Sequence, residues 1–242
     1  MNLFDIGIIF FILLAGVAGF KRGFIKETVS VLGNVIILVL AFYLMKPVAN
    51  IMYGFLPFFS LGFLGISLSA LNILVYQIIS FALCYLLLSV LLRCILMLTN
   101  VVDMILKVLI ILELPSKILG LIAGFISGYI TVFIILIILS VPLANSNYFH
   151  ESKFSDNIIN NTILLSDVSK PISRCTTDIY ELSNKINNDN DRVKNSNKYN
   201  LEILDILMKY DVIDYDTVGK LTTSGKLSDI KNINSVTDKY KR

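Results

Sequence analysis

Histidine is almost missing from this chain: His150 is the only one in 242 residues. The three cysteines, Cys84, Cys94 and Cys175, stand far apart and are odd in number. Metal centres need grouped Cys and His, and disulfide frameworks need paired cysteines, so neither is indicated and no cofactor is expected. A hydrolytic triad needs a serine nucleophile with a histidine base, which one histidine just past an apolar run does not supply. Charge is scarce as well, but only in one part. Residues 1–142 carry 11 of the 39 charged side chains and residues 143–242 carry 28. The formal net charge is only +3, without a basic block interleaved with aromatics, so nucleic acid is not an expected partner.

What fills the charge-poor part is apolar. The chain is 55% hydrophobic with a mean hydropathy of +0.75, above the roughly 45–50% of a soluble domain. About 20 apolar residues cross the hydrocarbon core as a helix. Four stretches meet that length: about residues 3–20, 29–45, 72–92 and 118–141. Each must be helical, because lipid offers no partner to a free backbone group. The first is not a cleaved signal: no basic region precedes it, Asp5 comes early, and Lys21 and Arg22 follow it.

Between the second and third runs, Pro47 to Ala70 is uncharged but broken by Pro57, Gly54, Gly62 and Gly65. It is expected as a re-entrant or interfacial segment shielded by protein rather than as a fifth span. Val101 to Leu112 is too short to cross; Asn100, Asp103 and Lys107 share one face, as in an interfacial amphipathic helix closed by Pro115. Ser116 is placed to cap the fourth helix. The expected fold is an all-α membrane protein with four transmembrane helices, a re-entrant or interfacial segment, and a polar, partly helical C-terminal tail. Residues 1–142 form the transmembrane domain and 143–242 the tail.

Basic residues orient the chain. Lys21, Arg22 and Lys26 follow the first run; Arg93, Lys107 and Lys117 lie between the third and fourth. Only Lys46 lies in the connection between. Four spans put both basic loops in the cytoplasm and both the N-terminus and the tail outside it. Asp5 then shares a side with Lys46 and can pair with it; an acid at the start of a span is an interfacial group or part of a proton or ion path.

Gly120, Gly124 and Gly128 lie four apart on one helical face, and Gly19 and Gly23 form a second pair. Small residues let membrane helices approach closely, within one bundle or between copies. Lys21, Arg22, Gly23 and Glu27 form a polar cluster: Gly23 suits a turn, Glu27 the N-terminus of the second helix, and the basic pair an anionic lipid surface.

In the tail, Asn187 to Asp191 reads as a solvated linker. Ile179, Leu182 and Ile186 on one side of it, and Leu201, Ile203, Leu204 and Leu207 on the other, follow helical spacing. A short helix is expected near Thr217 and a turn at Ser224-Gly225. Asp211, Asp214 and Asp216 lack the calcium-loop pattern and read as solvated surface.

Asp5, the run Gly19-Phe-Lys-Arg-Gly-Phe-Ile-Lys-Glu27 and the run Leu119-Gly-Leu-Ile-Ala-Gly124-Phe-Ile-Ser-Gly128 resemble the colicin V production protein family, CvpA. The resemblance covers about residues 1–142. It implies a small bacterial inner-membrane protein of about four helices, with a role in colicin V or toxin production or export and in envelope homeostasis. Some family relatives carry an extracytoplasmic trypsin-like serine protease domain after a similar membrane domain; this tail is too short for one and lacks its chemistry. By matched position the resemblance points to Asp5, Gly19, Arg22, Gly23, Glu27, Gly120, Gly124 and Gly128. A non-enzymatic membrane factor is the expected function and a small transporter or channel the alternative; an intramembrane enzyme would need paired acids or Ser/His at depth. The expected partners are the lipid bilayer and another copy or other membrane proteins.

Overall fold

The computed structural model describes residues 2–59, 62–63, 66–99, 113–140, 142–143, 149, 151–161 and 166–241. The amphipathic element expected at Val101–Leu112 and His150 lie outside these residues. In chain order the elements are α1 (Leu3–Arg22), α2 (Phe24–Phe55), β1 (Gly62–Phe63), β2 (Ile66–Ser67), α3 (Leu71–Thr99), α4 (Glu113–Leu139), α5 (Lys153–Asn161), α6 (Ser166–Asn187), α7 (Ser196–Lys209), α8 (Tyr215–Thr223) and α9 (Asn234–Thr237), followed by a 3-10 turn at Asp238–Tyr240. Two units are compact. The first comprises residues 1–43, 82–136 and 147–165; the second comprises 44–81, 137–146 and 166–242.

Four of the helices, α1 to α4, are long and apolar enough to cross a membrane. At 1.5 Å per residue, α1 is about 30 Å long, the thickness of the hydrocarbon core, whereas the 32 residues of α2 reach about 48 Å. The last residues of α2, 44–55, belong to the second unit. Lys46, Pro47 and the residues up to Phe55 continue the helix.

In the first unit, α1 and α2 meet without a loop. Gly23 has φ +83°, a conformation open to glycine, and its N–H bonds to Gly19 O at 2.9 Å. Lys21 and Arg22 lie in the last turn of α1 and Glu27 in the first turn of α2, each complementing its helix dipole. Glu27 is buried and accepts from the Arg22 guanidinium at 3.3 Å. Ser116 does not cap its own helix. α4 starts three residues earlier, at Glu113, with Pro115 in the first turn, where backbone N–H groups have no intrahelical partner. Ser116 instead accepts the Phe24 N–H at 3.3 Å and so caps α2.

The second unit has its own apolar core. Ile172, Cys175, Ile179, Leu182 and Ile186 of α6 are buried at alternating steps of three and four, the stripe that buries one face of a helix. Cys175 to Ile186, with Ile203, Leu204 and Leu207 of α7 and Val218 and Leu221 of α8, pack on Ala49 and Tyr53 of α2 and on Leu68 to Leu74. The Pro47–Ala70 segment, expected as re-entrant or interfacial, is built into this core at its two ends. It is helical to Phe55 and forms a two-residue antiparallel hairpin in which Gly62 pairs with Ser67 and Phe63 with Ile66; Ala49, Tyr53, Ile66, Leu68 and Ala70 are buried against the C-terminal helices, while Gly54 to Pro57 and Phe59 are exposed. The physical reason is that Leu68, Ala70 and Ile73 find an apolar surface in the tail itself and need no lipid to cover them.

The expected solvated linker at Asn187–Asp191 is also fixed. Asp189 accepts hydrogen bonds from Tyr199 Oη (2.5 Å), Asn195 Nδ2 (2.7 Å) and Asp191 N (2.9 Å). The Asn195 and Tyr199 donors hold the Asp189 carboxyl below its usual range, and the same bond from Tyr199 to Asp189 pushes the phenol up to about 12.

Candidate functional site

The polar groups of the first unit gather at the start of α1. Asn2 and Asp5 form a reciprocal capping box. Asp5 N donates to Asn2 Oδ1 and Asn2 N to Asp5 Oδ2, both at 3.0 Å. That leaves Asp5 Oδ1, which faces the N-terminus of α5. Ser152 Oγ donates to it at 2.5 Å and Phe154 N at 3.5 Å. Ser152 also accepts the Ser155 N–H at 3.1 Å, the bond of an N-cap. The Asp5 carboxylate thus sits at the positive end of α5's dipole. The Phe4 ring meets Phe149 edge-on at 5.8 Å, and Ser155 Oγ donates to Phe149 O at 3.0 Å. Asp5, Ser152 and Ser155 are buried.

Asp5 does not pair with Lys46. Lys46 Nζ bonds to Asp211 Oδ2 at 2.7 Å, while both Asp5 oxygens are taken by donors of α1 and α5. Ser152 and Phe154 escaped notice in the sequence, where Ser152-Lys-Phe-Ser155 just ahead of Ile158 and Ile159 was the available N-cap signal. The neighbouring acids are also committed: Asp214 caps α8, accepting from Thr217 N at 2.8 Å and Thr217 Oγ at 3.0 Å. Replacing Asp5 by Asn keeps the shape and an acceptor but removes the charge, and a drop of about 1–2 kcal/mol in unfolding free energy is expected. Asp5→Leu removes every acceptor and is expected to lose more. Thermal unfolding of the two variants in detergent checks the order.

The glycines form the second part of the site. The faces of α1 and α4 run against each other in opposite directions, with Gly19 beside Gly120 and Gly124, and Ala15 beside Gly124 and Gly128. A Cβ on Gly19 would lie 2.3 Å from Gly120 O, and one on Gly124 would lie 2.6 Å from Ala15 O. A Cβ on Gly120 would lie 2.6 Å from Gly19 O, and one on Gly128 2.5 Å from Ala15 Cβ. The seam is therefore closed within one chain. Gly23 plays a different part, turning the chain beside Ser116. Lys21 and Lys26 are exposed, while Arg22 is held by Glu27.

A second polar centre, which the sequence did not single out, lies in the second unit. The buried Asn200 side chain accepts from Ala70 N (3.2 Å) and donates to Ser67 O (3.1 Å) and Ser196 O (3.2 Å); Ser69 Oγ, which donates to Asp229 at 2.8 Å, lies 3.5 Å from its oxygen. It ties α7 to the hairpin and the start of α3.

Four apolar helices of spanning length, with a backbone-close glycine seam and a buried carboxylate spent on capping, define a multi-pass α-helical membrane protein. The family model described as colicin V production protein matches residues 4–163. That is more than half of the chain, and the chain belongs to the colicin V production protein family. The match runs past residue 142 and takes in α5, so it includes both sides of the Asp5–Ser152 bond. No curated protein and no solved structure matches the chain.

Proposed function

We propose that the protein is a non-catalytic factor of the bacterial cell membrane, acting in colicin V or toxin production or export and in upkeep of the envelope. The family match supports the setting. The observation that favours a non-catalytic, non-transporting part is how the membrane unit spends its polar groups: Asp5 caps two helices, and Glu27 is paired with Arg22. A proton or ion path would want such groups free to exchange partners. Partner proteins of the membrane would dock elsewhere than the glycine seam. The functional test is restoration of colicin V release in a bacterium deleted for its own family member. Full insertion without restoration counts against the reading. So does proton flux through proteoliposomes that Asp5→Asn abolishes, which would restore the transporter reading.

The orientation that fits puts the N-terminus and the C-terminal unit outside the cytoplasm. Lys21, Arg22 and Lys26 stand at the N-terminal end of α2, Lys117 near the start of α4, and Lys46, toward the other end of α2, is neutralised by Asp211. Cys175 is buried and a poor reporter of side. Val193, 69% exposed on the connection between α6 and α7, is a good one. In a chain also carrying Cys94→Ala, the variant Val193→Cys is expected to react with a membrane-impermeant maleimide on intact cells. Labelling only after lysis would reverse the orientation.

A further inference from the structure

The second unit contains a cavity of about 280 Å³ that neither the capping site nor the glycine seam uses. Asn50, Tyr53 and Gly54 line it from α2; Thr217, Lys220 and Leu221 line it from α8 and Ser224 from its C-cap. Positions 220 and 221 are three and four from 217, so a single face of α8 makes that wall. Gly54 faces open space, since a Cβ there would meet nothing within 4 Å. Thr217 and Ser224 turn their hydroxyl hydrogens to Asp214 Oδ2 and Leu221 O. Their oxygens remain acceptors, and the Asn50 amide is exposed. No carboxylate lines the cavity, and among the described residues Lys220 has no ion pair. The cavity therefore offers one cation without an ion pair beside neutral polar groups, with the nearby acid, Asp214, engaged by Thr217 in the cap of α8.

The neighbouring face of α2 exposes Leu44, Ile51 and Phe55, the last at 86%. At about 100° per residue these three lie within about 40° of one another, one exposed apolar stripe on a helix of membrane-spanning length. A cation beside such a stripe matches the build of a phospholipid, with an anionic phosphate next to an acyl chain.

We propose that this cavity binds one anionic glycerophospholipid, its phosphate at Lys220 and an acyl chain along Ile51 and Leu44. The absence of an acid from the lining selects against amine headgroups, whose ammonium would find no partner there. The site goes beyond the proposed function and stands whether or not the protein serves toxin release.

The test uses the full chain in detergent, by native mass spectrometry with phosphatidylglycerol and phosphatidylcholine. One phosphatidylglycerol is expected to be retained at least about tenfold more strongly than phosphatidylcholine, the weight of one charged hydrogen bond. Lys220→Gln and Gly54→Leu should each lower retention by about the same factor, the first by removing the cation and the second by filling the space. Lys198→Gln, an exposed lysine away from the cavity, should change nothing. Because the chain has no tryptophan, Ile51→Trp gives a single tryptophan on the acyl-chain path, expected to be quenched by brominated acyl chains. Equal retention of the two lipids overturns the proposal. So does retention undiminished in Lys220→Gln, equal stabilisation by glycerol phosphate without acyl chains, or an unquenched Ile51→Trp reporter, the signature of a second copy covering this face.

Discussion

Gly124→Leu is expected to prevent the membrane unit from closing, with little monodisperse protein recovered from detergent extracts. Gly124 lies between Ala15, Gly16 and Gly19 of α1. Its added Cβ would stand 2.6 Å from Ala15 O and 3.0 Å from the Cα atoms of Gly16 and Gly19. These are backbone atoms, so no side chain can swing aside. Relief requires moving α1 bodily, which also separates Gly19 from Gly120 and Ala15 from Gly128. Overpacking against movable side chains costs roughly 1–3 kcal/mol, and an immovable backbone puts this case at the top of that range or above it. In lipid the loss is not recovered by hydrophobic burial, since close packing is itself the attraction between the helices. Gly124→Ala carries the same Cβ and should lower the melting temperature measurably. Gly7→Leu, on the same α1 but with nothing within 4 Å of its added Cβ, should behave as the parent chain. Gel filtration of the solubilised variants with a fluorescent tag separates these outcomes. If Gly124→Leu elutes as sharply as Gly7→Leu, the seam does not hold the unit together.

Asn200→Leu is expected to loosen the C-terminal helices from the α2–α3 connection by about 2–4 kcal/mol. The substitution keeps the side-chain volume and removes three hydrogen bonds, to Ala70 N, Ser67 O and Ser196 O, and a 3.5 Å contact with Ser69 Oγ. Ser69 keeps its 2.8 Å bond to Asp229, and the exposed Ser67 can turn to water. Ala70 N–H is left inside the core without an acceptor. One buried unsatisfied donor costs about 1–3 kcal/mol, and the lost bonds add to it. A change near 2.8 kcal/mol is a hundredfold change in the opening equilibrium. Hydrogen exchange at the start of α3, from Leu71 to Ser80, should therefore accelerate by about two orders of magnitude. Asn188→Leu, at an exposed position, should stay within about 0.5 kcal/mol of the parent. Unchanged protection in Asn200→Leu would mean that the apolar core alone docks the helices.

The two glycine motifs, the turn at Gly23 and the place of Glu27 in the first turn of α2 were all legible as sequence. So were α7 and the C-terminal half of α6, because Ile179, Leu182, Ile186, Ile203, Leu204 and Leu207 keep helical spacing whatever covers them, and so was a short helix near Thr217, which is α8. Three sequence expectations changed in the structure. Ser116 caps the neighbouring helix rather than its own, Asp5 meets Ser152 rather than Lys46, and Asn187–Asp191 is tied down by Asp189. Each turns on a partner outside the local pattern. Ser116 and Phe24 are 92 residues apart, and Asp5 and Ser152 are 147 apart.

The amino-acid sequence alone determined that this is a membrane protein of four long apolar helices with a water-facing end, because run length and charge distribution select the solvent of each segment before any contact forms. The tertiary structure alone decided what meets each face. It set the glycines of α1 against those of α4, gave the Asp5 carboxylate to α5, and laid the C-terminal helices over Ala49 to Leu74. Periodicity announces that a helix has a face to bury. Only the closing of the chain over more than a hundred residues, at a loop-entropy cost that grows slowly with separation, chooses the occupant.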